Sequence, residues 1–412
     1  MIKKIETKLP TTKIKNESLE DFLWSDQYFN WEEKREKLIK ASCTEQSGMD
    51  LYYQSVADTF SKNGRNENLV YSPLNIYMAL SLLAELSAGE TRDQILTALN
   101  VNDIKSLRKR VKALWDANYQ NMPFAKSLLG NSIWLRNDIS YHNKPLKTLA
   151  DDYHASSFIG DMGSEELNHA LQEWTDKNTG GLLTEYANNM ELDADTVLAL
   201  VSTLYLKATW GDPFEEEDTT SETFHGLNGD TEVQMMHSVE DFGILVGKHF
   251  KAVGKYLEHS GKVYFFLPEE GMNAAEILCD PEALSIIRNP NAQSYRDVMI
   301  NLSVPRFKTT TRCNLLDAMN KLGIRNVTDS DRADLSSLTN ASKNVWLNSA
   351  EHTATVEINE EGVTGAAYTE DVVCGAIPPE EEVDFVLDRP FCFAVVASDR
   401  SILFSGVVQT ID

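Results

Sequence analysis

The sequence contains few of the residues, and none of the short motifs, that identify common enzymes and metal proteins. It has no GxSxG, HExxH, GxxxxGK or GxGxxG motif, and its eight histidines are not clustered. The odd number of cysteines and the absence of a CxxC pair exclude a disulfide scaffold and a zinc ribbon; they are Cys43, Cys279, Cys313, Cys374 and Cys392. We therefore expect a protein that is not an enzyme and that binds no cofactor or metal.

Basic residues are also scarce. Lys and Arg number 38 against 63 Asp and Glu, so the net charge is −25. This charge argues against nucleic acid as a partner, because phosphate binding needs a basic surface, and it favours basic proteins. No run of 18 apolar residues occurs, so we expect no membrane span. The lysine-containing N-terminus lacks the apolar segment of a signal peptide.

One long segment of small residues near the C-terminal end stands out from the rest of the chain. Residues 352–358 alternate small or branched side chains with polar ones, as a strand does. Small, uncharged residues follow Gly362, and the segment ends at Pro378 and Pro379, which stiffen the chain. A segment of this length without regular structure is usually functional in a compact domain.

This segment resembles the reactive-centre loop of the serpins, the serine protease inhibitor family. The residues that correspond to the hinge of that loop are Glu360, Glu361, Gly362, Val363, Thr364, Gly365, Ala366 and Ala367. The family's Arg-Pro-Phe motif corresponds to residues 389–391. Its buried helix, Gly-Glu-Thr turn and following helix are similar to VYSPLNIYMALSLLAELSAGETRDQILTALN, residues 70–100. The resemblance covers residues 50–412, with the motifs in the family's order.

The resemblance implies an α+β serpin fold with three β-sheets, eight to nine helices and an exposed reactive-centre loop. We expect an N-terminal extension over residues 1–48, partly helical or irregular, and a serpin domain over 49–412 with the loop at about 359–382. The small residues before the cleavage site resemble those of inhibitory microbial serpins. A role of this kind suggests secretion or the cell surface, whereas the missing signal peptide leaves the cytoplasm open.

The family mechanism implies a monomeric suicide substrate that forms a covalent 1:1 complex with a serine protease. The freed loop then inserts into the central sheet; about 15 residues at ~3.3 Å each would carry the protease roughly 50 Å. Counting alternation from Val363 places Asp371 on the inward face, where an unpaired carboxylate is costly. The alternative is a non-inhibitory serpin that acts as a binding or chaperone-type protein.

The bond that the protease cuts is expected within a short run of small side chains. Spacing from Gly362 gives Ala376–Ile377, alignment on the prolines gives Gly375–Ala376, and Cys374–Gly375 stays open. No Arg, Lys or aromatic residue precedes any of these bonds. We therefore expect a protease with a shallow apolar pocket, of elastase-like specificity.

The resemblance also assigns residues that control the opening of the central sheet. The shutter beneath the sheet corresponds to Ser72, Asn75, Ser202 and His352, and the breach at its top to Trp210. The family usually has Asn at the position of Ser202 and Ser at that of Asn75, so the hydrogen-bond network is either exchanged or weakened. A basic helix face could bind a polyanion, although a solvated face is the simpler interpretation; it consists of Lys105, Arg108, Lys109 and Lys112.

Overall fold

A computed structural model describes residues 2–7, 9, 22–23, 25–122, 125–181, 184–288, 295–340, 345–363 and 381–411. Nine of the described helices have seven residues or more. The helices are α1 Asp26–Glu45, α2 Met49–Phe60, α3 Pro73–Leu86, α4 Gly89–Ala98, α5 Ile104–Asn118, α6 Asn143–Asp152, α7 Glu165–Asn178, α8 Thr184–Ala187, α9 Ala275–Leu278, α10 Pro281–Arg288 and α11 Leu315–Lys321. None of them is both long and apolar enough to cross a bilayer.

The strands form three sheets, which we call A, B and C. Their bounds are β1 Lys3–Ile5, β2 Leu69–Tyr71, β3 Gln120–Asn121, β4 Lys126–Arg136, β5 Ser156–Gly160, β6 Leu198–Thr209, β7 Thr220–Gly226, β8 Gly229–Glu240, β9 Ile244–Val246, β10 Phe250–Leu257, β11 Gly261–Pro268, β12 Tyr295–Arg296, β13 Met299–Pro305, β14 Phe307–Asn314, β15 Leu347–Ile358, β16 Gly362–Val363, β17 Glu382–Val386, β18 Phe391–Ala397 and β19 Ile402–Val408. The expected α+β fold with three sheets is confirmed.

Sheet A is the largest and has the order β1-β5-β4-β6-β16-β15-β14, with β3 paired to β4. Sheet B has the order β12-β9-β10-β11-β18-β19-β2, and sheet C the order β17-β13-β8-β7. The main core includes helix α3, all of whose residues are buried. This helix begins after Ser72, whose side chain accepts a hydrogen bond from the Asn75 amide and so caps the helix.

The chain passes from sheet C to sheet A near Pro305. Strand β13 ends at Pro305 and belongs to sheet C, whereas β14 begins at Phe307 and belongs to sheet A. Pro305 has no amide hydrogen, so the chain can leave the ladder there without losing a donor. Arg306, between the two strands, therefore sits where sheets A and C meet.

Strand β1 and helix α1, both described parts of the first 48 residues, pack against the rest of the fold. Strand β1 pairs antiparallel with β5 at the edge of sheet A. Helix α1 packs against α5, and its Ser42 hydroxyl donates to the buried Asp399 carboxylate over 2.5 Å. The same carboxylate oxygen accepts hydrogen bonds from Asn118 at the end of α5 and from Ser401, each over 2.9 Å. One buried carboxylate thus joins α1, α5 and the β18–β19 turn.

Candidate functional site

The hinge segment already forms a short strand inside sheet A. Strand β16 lies between β6 and β15, with Gly362 opposite Thr209 and Val363 opposite Ala208 and Ile358. Gly362 has a φ of 153°, and a Cβ there would lie 2.1 Å from the Ala208 carbonyl oxygen. Only glycine fits this close approach, which explains the glycine of the hinge motif in physical terms.

Below the hinge, the two central strands of sheet A pair directly with each other. Strands β6 and β15 are parallel neighbours from the Leu198–Leu347 pair to the Thr203–Thr353 pair. Above that level they separate, and β16 occupies the gap at the upper end. Sheet A is therefore closed at one end and open at the other, which is the arrangement that entry of a further strand requires.

The indole of Trp210 fixes the chain just before the hinge. Its Nε1 donates to the Asn359 carbonyl over 2.9 Å, and its amide donates to the Glu361 carbonyl over 2.9 Å. The Asn359 side-chain oxygen accepts hydrogen bonds from the amides of Glu361 and Gly362. These contacts define the turn from β15 into β16 and place Trp210 at the open end of sheet A. The breach role of Trp210 stays a prediction from the resemblance.

Glu360 is the charged anchor of the same turn. Its side chain is nearly buried, forms an ion pair with Arg306 and accepts a hydrogen bond from the Thr219 hydroxyl over 2.6 Å. Its carbonyl accepts from the Phe214 amide over 3.1 Å. Burial alone would raise the pKa of Glu360, but the hydrogen bonds from Arg306 and Thr219 outweigh it and lower that pKa.

A second ion pair near Trp210 was not expected from the sequence. Lys255 and Glu240 are both buried and bonded to each other, and the Ser238 hydroxyl donates to Glu240 over 2.7 Å. The Lys255 ammonium lies 4.5 Å from the ring centroid of Phe214 and 5.9 Å from that of Trp210. A buried lysine thus lies against two aromatic rings beside the open end of sheet A. No local pattern marks Lys255, since its partner comes from another strand.

The predicted shutter residues meet at the level where β6 and β15 begin to pair. His352 lies beside Ser202 in that pairing, and its Nε2 accepts from the Ser72 amide over 3.0 Å. Because Nε2 is an acceptor, the neutral imidazole carries its proton on Nδ1, which has no partner among the described residues. Complete burial lowers the pKa of His352 to about 3, so this side chain is neutral at physiological pH.

The connection between Asn75 and sheet A runs through a residue that sequence reasoning missed. Asn131 on β4 donates from Nδ2 to the Asn75 side-chain oxygen over 3.2 Å. The Ser202 hydroxyl reaches only the Asn75 carbonyl, over 3.5 Å. Asn75 and Ser202, the two residues that differ from the family pattern, therefore share no hydrogen bond between their side chains. The side chain of Asn75 is bonded instead to that of Asn131 in sheet A.

The basic face of α5 is largely paired with acidic residues of the same chain. Arg108 donates to Glu85 over 2.8 and 2.5 Å, a contact that raises its pKa. Lys109 pairs with Glu45 of α1 and Lys112 with Asp116. Lys105, the fourth residue of this face, is exposed. The pairing of the other three residues favours a solvated, ion-paired helix face over a polyanion site.

The remaining predicted site residues lie outside the described part of the chain. They are Thr364, Gly365, Ala366 and Ala367 of the hinge, Asp371, and Cys374, Gly375, Ala376 and Ile377 around the expected cleavage site. The described chain resumes at Glu381, and β17 then pairs in parallel with β13 in sheet C. The loop is thus held at one end by sheet A and at the other by sheet C.

Comparison with known proteins identifies the family. The model of the family described as Serpin (serine protease inhibitor) matches residues 44–411. The chain is a serpin. Among curated proteins it is 28% identical over 367 residues to Serpin-ZX of Arabidopsis thaliana, covering 84% of this chain and 92% of that protein. It is 29% identical to the leukocyte elastase inhibitor of Sus scrofa, covering 82% of this chain and 92% of that protein.

Solved serpin structures share its fold. The native stressed conformation of AtSerpin1 from Arabidopsis matches with a TM-score of 0.78 at 25% identity, covering 89% of this chain and 98% of that chain. Human thyroxine-binding globulin, in complex with thyroxine, matches with a TM-score of 0.76 at 21% identity, covering 91% of this chain and 99% of that chain. The second likeness shows the fold alone.

Proposed function

We propose that this serpin is a suicide-substrate inhibitor of serine proteases with elastase-like specificity. The observation that carries the proposal is the position of β16, because Gly362 and Val363 already pair with both strands that an inserted loop would join. A protease would cut the loop and form an acyl-enzyme. The loop would then continue inward from β16 before the ester is hydrolysed, and the protease would stay attached in a covalent 1:1 complex.

The pairing of β16 sets the register of the inserted strand. Each step along the loop from Val363 moves one residue back along β6, from Ala208 towards Leu198. In this register Asp371 would face Leu200, and Val373 would reach Leu198 at the start of β6. Around a dozen new ladder hydrogen bonds at ~1 kcal/mol each would favour insertion. The six direct pairs between β6 and β15, including His352–Ser202, must first separate.

The small residues at the expected cleavage site support an elastase-like target. Ala376, with Gly375 or Cys374 as alternatives, fits a shallow apolar pocket and offers no charge or ring to a deeper one. One of the relatives, the leukocyte elastase inhibitor of Sus scrofa, agrees with this choice by its name. Acidic residues after the cleavage site, including the exposed Glu381 and Glu382, would attract a basic protease.

The test is to mix the purified protein with pancreatic or neutrophil elastase and to separate the products on a denaturing gel. We expect a band at the summed mass of the two proteins less the C-terminal peptide, which is released and begins at Ile377, or at Ala376 or Gly375 for the alternative bonds. The matched control is Val363→Arg. The Val363 side chain is buried between the two strands, so arginine there should block insertion and leave cleavage intact.

The second candidate is a non-inhibitory serpin that acts as a binding protein. It is favoured by Asp371, which would lie opposite the buried Leu200 if the loop inserted in the register of β16. An unpaired carboxylate in that position costs several kcal/mol. Clean cleavage of the wild-type loop without a high-mass band, together with no gain in thermal stability after cleavage, would support this candidate over the inhibitor.

A further inference from the structure

A cavity of about 370 Å³ lies between helix α1 and the end of α5, where the chain continues into β3. Helix α1 provides one wall, which contains Trp31, Lys34, Arg35 and Leu38, and the opposite wall comes from the C-terminal half of α5 and from β3. The four α1 residues precede residue 44, where the match to the family model begins. The cavity therefore exists because of the N-terminal extension, and its volume is in the range of small-molecule sites.

Polar atoms of both walls are not satisfied by the protein. Arg35 Nε, Trp115 Nε1 and Gln120 Oε1 are buried and have no hydrogen-bond partner in the described part of the chain. Arg35 Nη2 donates to the Ser398 hydroxyl over 3.4 Å, and Gln120 Nε2 donates to the His259 carbonyl over 3.2 Å. Buried donors and acceptors are costly when unpaired. A small rotation of these side chains towards the cavity would let a bound molecule supply the missing partners.

The charge of the cavity wall favours an anion. Asp116 is the carboxylate among the described wall residues, and it already pairs with Lys112 over 2.9 Å. Lys34 and Arg35 have no such partner among the described carboxylates. Desolvation lowers the pKa of Arg35, and the negative charge of Asp399 offsets this effect only in part. A carboxylate in the cavity would thus meet two unpaired cations, although the chain as a whole carries a charge of −25.

The rest of the wall favours an aromatic body on that anion. Trp31, Trp115 and Tyr119 line the cavity together with the apolar Leu38 and Met122. The rings of Trp115 and Tyr119 are stacked, with centroids 4.4 Å apart and planes 11° apart. Large rigid rings of this kind bury much apolar area and pair well with other rings. A mostly apolar pocket with a few polar groups is the usual composition of a small-molecule site.

We propose that this cavity binds a small aromatic carboxylate, with its carboxylate group on Arg35 and its ring against the aromatic side chains of α1 and α5. None of the wall residues belongs to the hinge, the shutter or the expected cleavage site. The proposal therefore does not rest on the proposed function. It gives the N-terminal extension a binding activity of its own.

The test is isothermal titration calorimetry of the full chain with two probes, 1-naphthaleneacetate and its neutral counterpart 1-naphthaleneacetamide. The carboxylate should bind with 1:1 stoichiometry and about 10-fold more tightly than the amide, because a charged hydrogen bond is worth this factor or more. Arg35→Gln should weaken the carboxylate about 10-fold and leave the amide unchanged. The matched control is Lys37→Gln, which removes the same charge from α1 at an exposed residue that pairs with Glu33 outside the cavity; it should bind both probes as the wild type does.

A second variant tests the cavity by size instead of charge. Leu38→Trp narrows the cavity from the half-buried side of α1 and should weaken both probes alike. Thermal unfolding without a probe verifies that each variant keeps the fold. No binding of 1-naphthaleneacetate to the wild type would overturn the proposal, as would equal affinity of the wild type and Arg35→Gln for this probe. Equal weakening by Arg35→Gln and Lys37→Gln would also overturn it, since it would show attraction to the overall charge of the helix.

Discussion

Replacing Glu360 with glutamine is expected to loosen the hinge at the open end of sheet A. The carboxylate accepts from Arg306 Nε over 2.5 Å and from the Thr219 hydroxyl over 2.6 Å, and its side chain is 7% exposed. Glutamine has nearly the same shape but no charge. It would leave the Arg306 guanidinium without its counter-ion at the point where β14 joins sheet A.

The expected loss of native stability depends on how far Glu360 and Arg306 are each buried. A hydrogen bond to a charged group contributes about 1.5–3 kcal/mol, but Arg306 is 43% exposed, and water reduces the loss. We therefore expect native stability to fall by about 1–2 kcal/mol. The control is Glu357→Gln. Glu357 on β15 pairs with Lys308 on β14, close to the Glu360–Arg306 pair in sequence, yet both side chains are exposed. Its replacement should therefore cost less than about 0.5 kcal/mol.

Two assays measure the prediction. Guanidinium unfolding gives the loss of native stability, and the loss of inhibitory activity during warm incubation gives the rate at which the uncut loop inserts. Glu360→Gln should unfold at lower denaturant and inactivate faster than both the wild type and Glu357→Gln. Because the pKa of Glu360 is lowered in the fold, its contribution is present above the ordinary glutamate pKa and is lost as the pH falls through the lower, native value. Equal behaviour of the two variants at neutral pH would refute this account of the hinge.

Three further predictions concern other parts of the molecule. Asp371→Ser should lower the number of inhibitor molecules consumed per trapped protease, measured by titration, because it removes the carboxylate that would face Leu200; an unchanged ratio would contradict the register. The pKa of His352 is about 3 in the fold, below its unfolded value, so His352 stabilises the fold above the unfolded pKa and this contribution declines as the pH falls towards 3. His352→Asn should reduce the fall in unfolding free energy between pH 7 and pH 5.5 by about 1.3 kcal/mol, and an identical fall would argue against a neutral buried imidazole. Asp399→Ala should cost about 2–4 kcal/mol in chemical unfolding, since it leaves the Ser42 hydroxyl and its neighbours without their acceptor; a loss below 1 kcal/mol would mean that helix α1 is held by other contacts.

Much of the fold was predictable because its strongest patterns are local. The apolar run over residues 74–86 corresponds to the buried helix α3, and the long apolar run ending at Trp210 corresponds to strand β6. The Glu-Glu-Gly motif indicated the hinge, and the structure gives each part a physical reason. Glu360 is an ion-pair anchor, and Gly362 avoids the Ala208 carbonyl.

The partners of these residues could not be predicted, because they come from distant parts of the chain. Arg306 lies 54 residues before Glu360, and Asp399 lies 357 residues after Ser42. The sequence near Lys255 gives no sign that it is buried against Glu240. The change of sheet at Arg306 is marked in the sequence only by a shift in the apolar alternation, from Ile300, Leu302 and Val304 to Phe307. Periodicity reports the face of a residue rather than the sheet it joins.

The central claim is that the cleaved loop inserts between β6 and β15, and thermal unfolding before and after loop cleavage tests it most directly. The loop is cut with a protease that is not trapped, and both forms are then heated under identical conditions. A dozen added ladder hydrogen bonds at ~1 kcal/mol each predict a rise in Tm of at least about 10 °C, and Val363→Arg should abolish that rise. An unchanged Tm after complete cleavage of the wild-type loop would contradict the claim.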